Sequence, residues 1–321
     1  MWNNQPENIN SVFLSRRRLL GQMGNGLGTL GLLQTFASQA EARKQPPHFA
    51  PKAKHVIQLF MNGGPFQADL FDPKPLLKKF EGQRPPSANL RTERKTAGLL
   101  PSPFRFQHRG ESGVPVSELL PKLGGCVDDM CIVRSMHTDN PNHGPALLLM
   151  NNGTIIPTRP SMGSWMSYGL GTENDSLPTY VVLCPGRPVR FSVLWSSAFL
   201  PGEHQGTYIN HSDPTPEKLI PYLKNARSSP EEQKRQLDLI QRLNRKHLQQ
   251  TGQDVALEGR IQSMETAFRM QFSATDAFDL ERESKATREQ YGQGHFANAC
   301  LLSRRLVERG VRFTQIYYGN G

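Results

Sequence analysis

The sequence predicts an α/β fold in which a largely parallel sheet is flanked by helices. Short apolar and β-branched runs alternate along the chain with helix-periodic segments, a pattern typical of a parallel sheet covered on both faces. Four runs predict buried strands, namely residues 55–61, 131–136, 180–183 and 311–318.

The first half of the predicted domain places two of these strands among helices. The strand at 55–61 stops at the turn sequence Asn62-Gly63-Gly64-Pro65. Proline-rich, charged sequence over 73–109 predicts a long excursion from the sheet. Helices are predicted near 76–80 and over 116–123, 145–150 and 161–170, and proline suits the first turn at 145.

The second half is dominated by long helices. The strand at 180–183 ends at Pro185-Gly186, and a loop-rich segment follows over 190–208. Charged, helix-periodic sequence then predicts a helical hairpin insertion over about 230–290, either laid over the sheet or projecting from it. A last helix over 296–309 is expected to end at Gly310, before the final strand.

The first 42 residues predict a twin-arginine signal peptide. Ser15-Arg16-Arg17-Arg18 precedes a glycine-rich, weakly hydrophobic stretch over 19–37, and Ala40-Glu41-Ala42 provides a small-x-small cleavage site. The alternative is an amphipathic amino-terminal helix. We expect the twin-arginine translocation machinery as a partner, a periplasmic or other extracytoplasmic location, no stable membrane span, a linker over 43–54 and one domain over 55–321.

Composition narrows the classes of partner. A formal net charge of +10 raises the question of nucleic acid, but basic residues alternate with acidic ones and no basic run carries aromatics. We therefore predict a solvated mixed-charge surface and no nucleic-acid partner. The four cysteines form no CxxC pair, which argues against a zinc cluster, while Cys126 and Cys131 are either a disulfide or buried free thiols.

Polar side chains follow the first predicted strand. Asn62 and two glycines end the strand, and Asp69 and Asp72 come soon after. Carboxylate oxygens are hard donors of the kind that a divalent cation needs. The alternative is turn formation, which is strongest for Asp72 because it precedes a proline.

A second polar loop leads into the helix predicted at 145–150. It contains His137, Thr138, Asp139, Asn142 and His143, so metal ligands and candidate nucleophiles occur together before a helix amino terminus. The alternative is helix capping by an Asp or Asn with surface histidines. Ligands collect at the carboxyl ends of parallel strands, so we expect this loop to converge with the first one. The sequence has no GxSxG elbow, Walker loop or dinucleotide fingerprint.

Several blocks resemble the exported bacterial family known as domain of unknown function 1501. They are Leu59 to Pro65 with Asp69 and 72–74, 142–146 with 150–153, and 301–313. The resemblance implies an alkaline-phosphatase-like fold from the alkaline phosphatase and sulfatase superfamily. It also implies hydrolysis of anionic phosphate or sulfate esters with a divalent metal such as zinc, calcium or manganese.

The resemblance also implies residue roles. Asn140-Pro141-Asn142-His143 is similar to a Phe-Pro-Asn-His motif that follows the threonine nucleophile of nucleotide pyrophosphatase-type enzymes. The nucleophile then falls on Thr138 or Asp139, and Asn142 holds the oxyanion. The implied metal ligands are Asn62, Asp69, His137 and His143.

Three departures from the family pattern support a second hypothesis. Asn62 stands where the superfamily has a metal-binding Asp, and Phe66-Gln67 stands where many family members have Ser-His. The family usually continues into a Trp-Asp-x-His segment, so the chain looks truncated at its carboxyl end. The alternative function is therefore a non-catalytic periplasmic or surface binding protein on the same scaffold.

Overall fold

The strands lie in two separate sheets. The structure is a computed structural model that describes residues 49–84, 97–138, 140, 142–186, 188, 190–220, 227–251, 255–273 and 275–319. The predicted signal peptide and residues 43–48 of the linker lie outside this part of the chain. The strands are β1 (Val56–Phe60), β2 (Phe106–Arg109), β3 (Val114–Ser117), β4 (Tyr180–Cys184), β5 (Thr207–Asn210) and β6 (Phe313–Tyr317).

The central sheet has four strands in the order β1-β6-β4-β5, and every pairing is parallel. Phe313 pairs with Val56 on one side and with Tyr180 on the other. The last strand in the chain therefore lies between the first strand and β4. All four strands end at one edge of the sheet, which is called the carboxyl edge below, and all begin at the opposite amino edge.

Helices cover both faces of this sheet. They are α1 (Pro75–Lys79), α2 (His143–Asn152), α3 (Met162–Leu170), α4 (Pro216–Leu219), α5 (Pro230–Thr251), α6 (Val255–Ser273), α7 (Thr275–Phe278), α8 (Lys285–Tyr291) and α9 (His295–Val307). Residues 54–321 form one compact unit. Within the described residues, no helix combines the length and apolar character needed to cross a membrane.

The residues of β4 alternate between two hydrophobic cores. Val181 and Leu183 pack in one core with residues of α9, and Val182 packs in the other with Leu147 and Leu148 of α2. All five residues of β4 are buried because both faces of the sheet are covered. The predicted α/β class, with a parallel sheet between helices, is therefore confirmed.

Two predicted elements are wrong. Residues 131–136 form no strand. Their apolar side chains Val133 and Met136 are 59% and 70% exposed, so this segment lacks the burial that stabilises a strand in a covered sheet. Residues 116–122 are not helical, since Val116 and Ser117 belong to β3, which pairs with β2 in an antiparallel hairpin, and a 3₁₀ helix begins only at Leu123. This hairpin and β5 were not predicted.

The predicted helical hairpin is formed by α5 and α6. Gln241 of α5 donates a hydrogen bond of 2.7 Å to Glu265 of α6, 24 positions later, so the two helices lie side by side. The predicted helix before the last strand is also present as α9, and Gly310 follows it with a φ of 90°. The four cysteines are free, and Cys126 and Cys131 are exposed, so neither alternative proposed for that pair holds.

Candidate functional site

Asparagine side chains link neighbouring strand ends at the carboxyl edge. The Oδ1 atom of Asn62, directly after β1, accepts a hydrogen bond of 3.1 Å from the main-chain N–H of Gly319, after β6. In the same way, Oδ1 of Asn210 in β5 accepts from the N–H of Gly186, after β4, at 3.3 Å. The predicted metal ligand Asn62 therefore also connects two adjacent strands.

A series of short turns leads into α2. Thr138 Oγ1 accepts from the N–H of Asn140 at 3.3 Å, and Asn140 Oδ1 accepts from the N–H of Asn142 at 2.9 Å. Asn142 Oδ1 then accepts from the N–H of Gly144 at 3.1 Å and caps the helix. The capping alternative for Asn142 is thus observed, and its amide NH₂ group remains for a ligand. Asp139, a predicted nucleophile, lies outside the described residues.

The other predicted residues lie in different environments. His137, Thr138 and His143 are exposed, and His143 is the first residue of α2. Asp69 ends a 3₁₀ helix, Gln67–Asp69, and its Oδ1 atom is buried without a hydrogen-bond partner in the described part of the chain. Asp72 pairs with Lys74 at 2.6 Å, as its turn position favours.

A complete metal site is not assembled by these residues. Across the part of the chain that the structure describes, no three His, Cys, Asp or Glu side chains lie close enough together to hold one ion. Asp69, His137 and His143 therefore do not form a three-ligand set, and the residues described do not fit a complete metal centre. The predicted convergence of the two loops stays a prediction.

Arg190 is a functional candidate that the sequence analysis missed. It lies on the loop that leaves β4, and its guanidinium packs against Gly144 in the first turn of α2. A Cβ atom at position 144 would lie 3.2 Å from Nε and 3.4 Å from Nη2 of Arg190. The Arg190 side chain is exposed and forms no ion pair with any described residue. A side chain at position 144 would displace the guanidinium by a few tenths of an ångström.

The backbone and the following residues hold Arg190 in place. Its φ is 72°, in the left-handed region that non-glycine residues seldom adopt. The 3₁₀ helix that follows, Phe191–Trp195, buries Leu194 and Trp195 in the core beside α2. The Nδ2 atom of Asn152, at the end of α2, also donates to the carbonyl of Val193 at 3.2 Å. The loop and the helix are therefore fixed to each other.

Buried hydrogen bonds also fix α2 to the sheet. Asn151 Oδ1 accepts from Gln315 Nε2 in β6 and from the Tyr317 hydroxyl at 3.3 Å, and the Tyr180 hydroxyl donates to Gln315 Oε1 at 2.6 Å. Burial raises the pKa of both tyrosines, so both remain neutral donors. This network fixes the position of α2 relative to the strand ends.

Two positive groups meet at the start of α2. Main-chain N–H groups concentrate partial positive charge at a helix amino terminus, and the first turn of α2 contains no acidic residue to balance it. The guanidinium of Arg190 adds a full positive charge there. The arrangement is suited to an anion that bridges the guanidinium and the helix.

His211 is a second candidate that was missed. It follows β5 directly at the carboxyl edge and is 1% exposed. Neither ring nitrogen makes a hydrogen bond of good geometry to a described residue, although main-chain groups of His211 and Tyr317 lie near enough to oppose the lowering of its pKa in part. Burial lowers the pKa of His211 to about 4, and the nearby His295 at the start of α9 adds to this lowering. The imidazole is therefore neutral at pH 7.

Comparison with known proteins shows the family of this chain. The chain belongs to the family described as protein of unknown function (DUF1501), whose model matches residues 53–320. No match was found among curated proteins or solved structures. The family resemblance found in the sequence is therefore confirmed, and the description of that family states no reaction.

Proposed function

We propose that this member of the DUF1501 family binds an anionic phosphate or sulfate ester at the carboxyl edge of its sheet. The observation that carries the proposal is the guanidinium of Arg190, placed against Gly144 in the first turn of α2. The guanidinium is exposed, and the start of α2 beside it carries partial positive charge. An anion between them would turn an unfavourable contact into a favourable one.

The chemistry of the two groups suits this class of ligand. A guanidinium presents N–H donors in a planar fork that matches two oxygens of a phosphate or sulfate group. In the first turn of α2 the Gly144 N–H is capped by Asn142 and Pro145 has no N–H, so the main-chain donor for such an oxygen is the N–H of His143. Asn142 lies at the same point, and its NH₂ group is a further donor. The exposed His143 completes the edge of the site.

The proposed location is extracytoplasmic. The arginine run, the glycine-rich stretch and the small-residue cleavage sequence in the first 42 residues support export through the twin-arginine machinery. The exported protein would then meet its ester ligands outside the cytoplasm. Replacing Arg16 and Arg17 by Lys should retain the chain in the cytoplasm, as fractionation would measure.

Hydrolysis of the bound ester is the second candidate function. The observation that favours it is the buried carboxylate oxygen of Asp69, which has no hydrogen-bond partner in the described part of the chain. A divalent zinc, calcium or manganese ion bound to that oxygen would supply a Lewis acid. Its other ligands would have to come from outside the set of Asp69, His137 and His143, which do not lie close enough together to hold one ion.

Binding of p-nitrophenyl phosphate and p-nitrophenyl sulfate tests the first proposal. In isothermal titration calorimetry, Arg190→Gln should weaken binding of the preferred ester about 10- to 100-fold, because one charge-assisted pair is lost. Arg242→Gln, on the exposed side of α5, is the matched control and should bind like the unchanged protein. Equal affinity of both variants would refute the anion site.

Metal analysis and turnover of the same two esters test the second candidate. The purified protein should retain a divalent ion and release p-nitrophenol when zinc, calcium or manganese is added. Binding without turnover in any of these metals would leave the binding function standing and remove the hydrolytic one.

A further inference from the structure

A cavity of about 720 Å³ lies at the amino edge of the sheet, opposite the proposed anion site. Its walls include Thr179, directly before β4, and Thr207, the first residue of β5. The other walls come from the end of α3 and the loop that follows it, from a 3₁₀ helix at Gly202–His204 and from α6. A space of this size accommodates a small organic ligand.

Three side chains in the cavity wall form a polar chain. The Oγ atom of Ser167 in α3 lies 2.9 Å from Nδ1 of His204, and Nε2 of His204 lies 3.3 Å from Oε1 of Glu203. The carboxylate beside Nε2 favours the tautomer that carries its proton there. In that tautomer Nδ1 has a lone pair and accepts the hydroxyl proton of Ser167.

The surroundings keep the imidazole neutral and oriented. Burial lowers the pKa of His204, and the charge of Glu203 opposes this lowering in part. The ring of Tyr168 packs edge-on against the imidazole, with ring centroids 5.3 Å apart. The other ionisable groups in the cavity wall are Asp175, Glu265 and Arg269. A neutral, held imidazole next to a hydroxyl is the arrangement that general-base activation of a nucleophile requires.

We propose that Ser167, His204 and Glu203 form an acyl-transfer site that hydrolyses small carboxylic esters in this cavity. Ser167 Oγ would bond to the ester carbonyl carbon while its proton passes to Nδ1 of His204. The imidazolium returns that proton to the departing alcohol oxygen as the ester C–O bond breaks. Water then gives a proton to the same imidazole and attacks the acyl carbon. The imidazolium returns that proton to Ser167 Oγ as the acyl C–O bond breaks, which releases the carboxylic acid and restores the serine hydroxyl.

Two further side chains in the cavity wall carry N–H donors. Arg269 and Gln262 of α6 both line the cavity and can donate N–H groups to a negatively charged oxygen. This site shares no residue with the anion site around Arg190. Failure of one proposal therefore leaves the other intact.

A fluorophosphonate probe tests the proposal on the full chain. The probe phosphonylates an activated serine, so mass spectrometry of the labelled protein should place the adduct on Ser167. The matched control is Ser164→Ala, on the same helix, where the side chain bonds Ser161 and the carbonyl of Ser196 instead. This variant should be labelled like the unchanged protein, whereas Ser167→Ala should not be labelled.

His204→Gln should slow labelling and the turnover of p-nitrophenyl butyrate by at least about 100-fold, which is the usual contribution of a general base. The labelling rate of the unchanged protein should rise with pH until the imidazole of His204 has lost its added proton. Because the pKa of His204 is lowered, the rate should reach its plateau before pH 6.5. The absence of labelling, or an adduct mapped to any other residue, would overturn the proposal. That mapping uses the unchanged protein and does not depend on whether a variant folds.

Discussion

The starts of α2 and α3 look alike in sequence and differ in the folded protein. Each helix has a capping side chain, then one residue, then a glycine: Asn142 precedes Gly144, and Ser161 precedes Gly163. The guanidinium of Arg190 covers Gly144 at an exposed surface, whereas the buried ring of Tyr180 covers Gly163. The difference teaches that a capped helix start becomes a candidate ligand site only where its cover is an exposed, charged side chain.

The hydrogen bonds at the two helix starts differ in the same way as their covers. At α3, Ser161 Oγ accepts from the N–H of Ser164, and Ser164 Oγ donates to the carbonyl of Ser196 at 3.1 Å. Protein partners therefore satisfy this start internally. At α2, the cap is made by Asn142 alone, and the guanidinium beside it has no acidic partner among the described residues.

The largest expected effect concerns a buried polar group at the carboxyl edge, His211. Its folded pKa of about 4 lies below the usual value of 6.5, so the unfolded chain binds its proton first as the pH falls. Stability should be unaffected by this group above pH 6.5 and should fall between pH 6.5 and 4, by roughly 3 kcal/mol at pH 4. Urea denaturation across this range measures the effect.

The control for this pH dependence contrasts a buried with an exposed imidazole. His211→Leu should flatten the loss of stability in acid, because its side chain takes up no proton in either state. His143→Gln, at the exposed start of α2, should retain the slope of the unchanged protein. If His211→Leu shows that same slope, the buried imidazole is not its origin.

The next largest effect is expected from Gly163→Ala. A Cβ atom there would lie 2.5 Å from Cζ of Tyr180, and the hydroxyl of that ring is bonded to Gln315, so the ring cannot easily move. Overpacking of this kind should lower the free energy of unfolding by about 1–3 kcal/mol or more. Thermal and urea unfolding measure this loss of stability. An unchanged unfolding midpoint would show that the two helix starts do not differ in rigidity.

The smallest effect on stability is expected from Gly144→Ala, the matching change in α2. The flexible Arg190 side chain can move away from the new methyl group, and alanine favours helix over glycine by about 1 kcal/mol. Stability should therefore stay level or rise. Affinity for p-nitrophenyl phosphate should fall several-fold because the guanidinium is displaced. A variant that loses stability but keeps its affinity would reverse the proposed comparison.

Much of the fold was predictable from local patterns. The runs that became β1, β4 and β6 are dense in apolar residues and end at glycine- or proline-containing turns. The segment over 131–136 has a similar pattern but remains outside the sheet. Apolar content is thus a sufficient signal only where partner strands and helices are available to cover it. β5 was missed because its four residues carry few apolar side chains.

The candidate site was predictable only in part. Asn142 and His143 stand out because polar residues before an apolar helix form a local signal. Arg190 has no such signal, since its contact with Gly144 joins positions 46 residues apart. The same holds for Ser167 and His204, which are 37 positions apart. An arginine on a loop after a strand end is the one feature that could have drawn attention to position 190.

The sequence by itself determined the parallel α/β class and the family, and it offered capping as one interpretation of the loop before α2, because these depend on the order of residues along a short stretch of chain. Only the tertiary structure decided which helix start faces solvent, and which histidines are buried. The physical reason is that burial depends on what distant segments place over a residue. Arg190 over one glycine and Tyr180 over the other therefore separate two helix starts that share the spacing of cap and glycine.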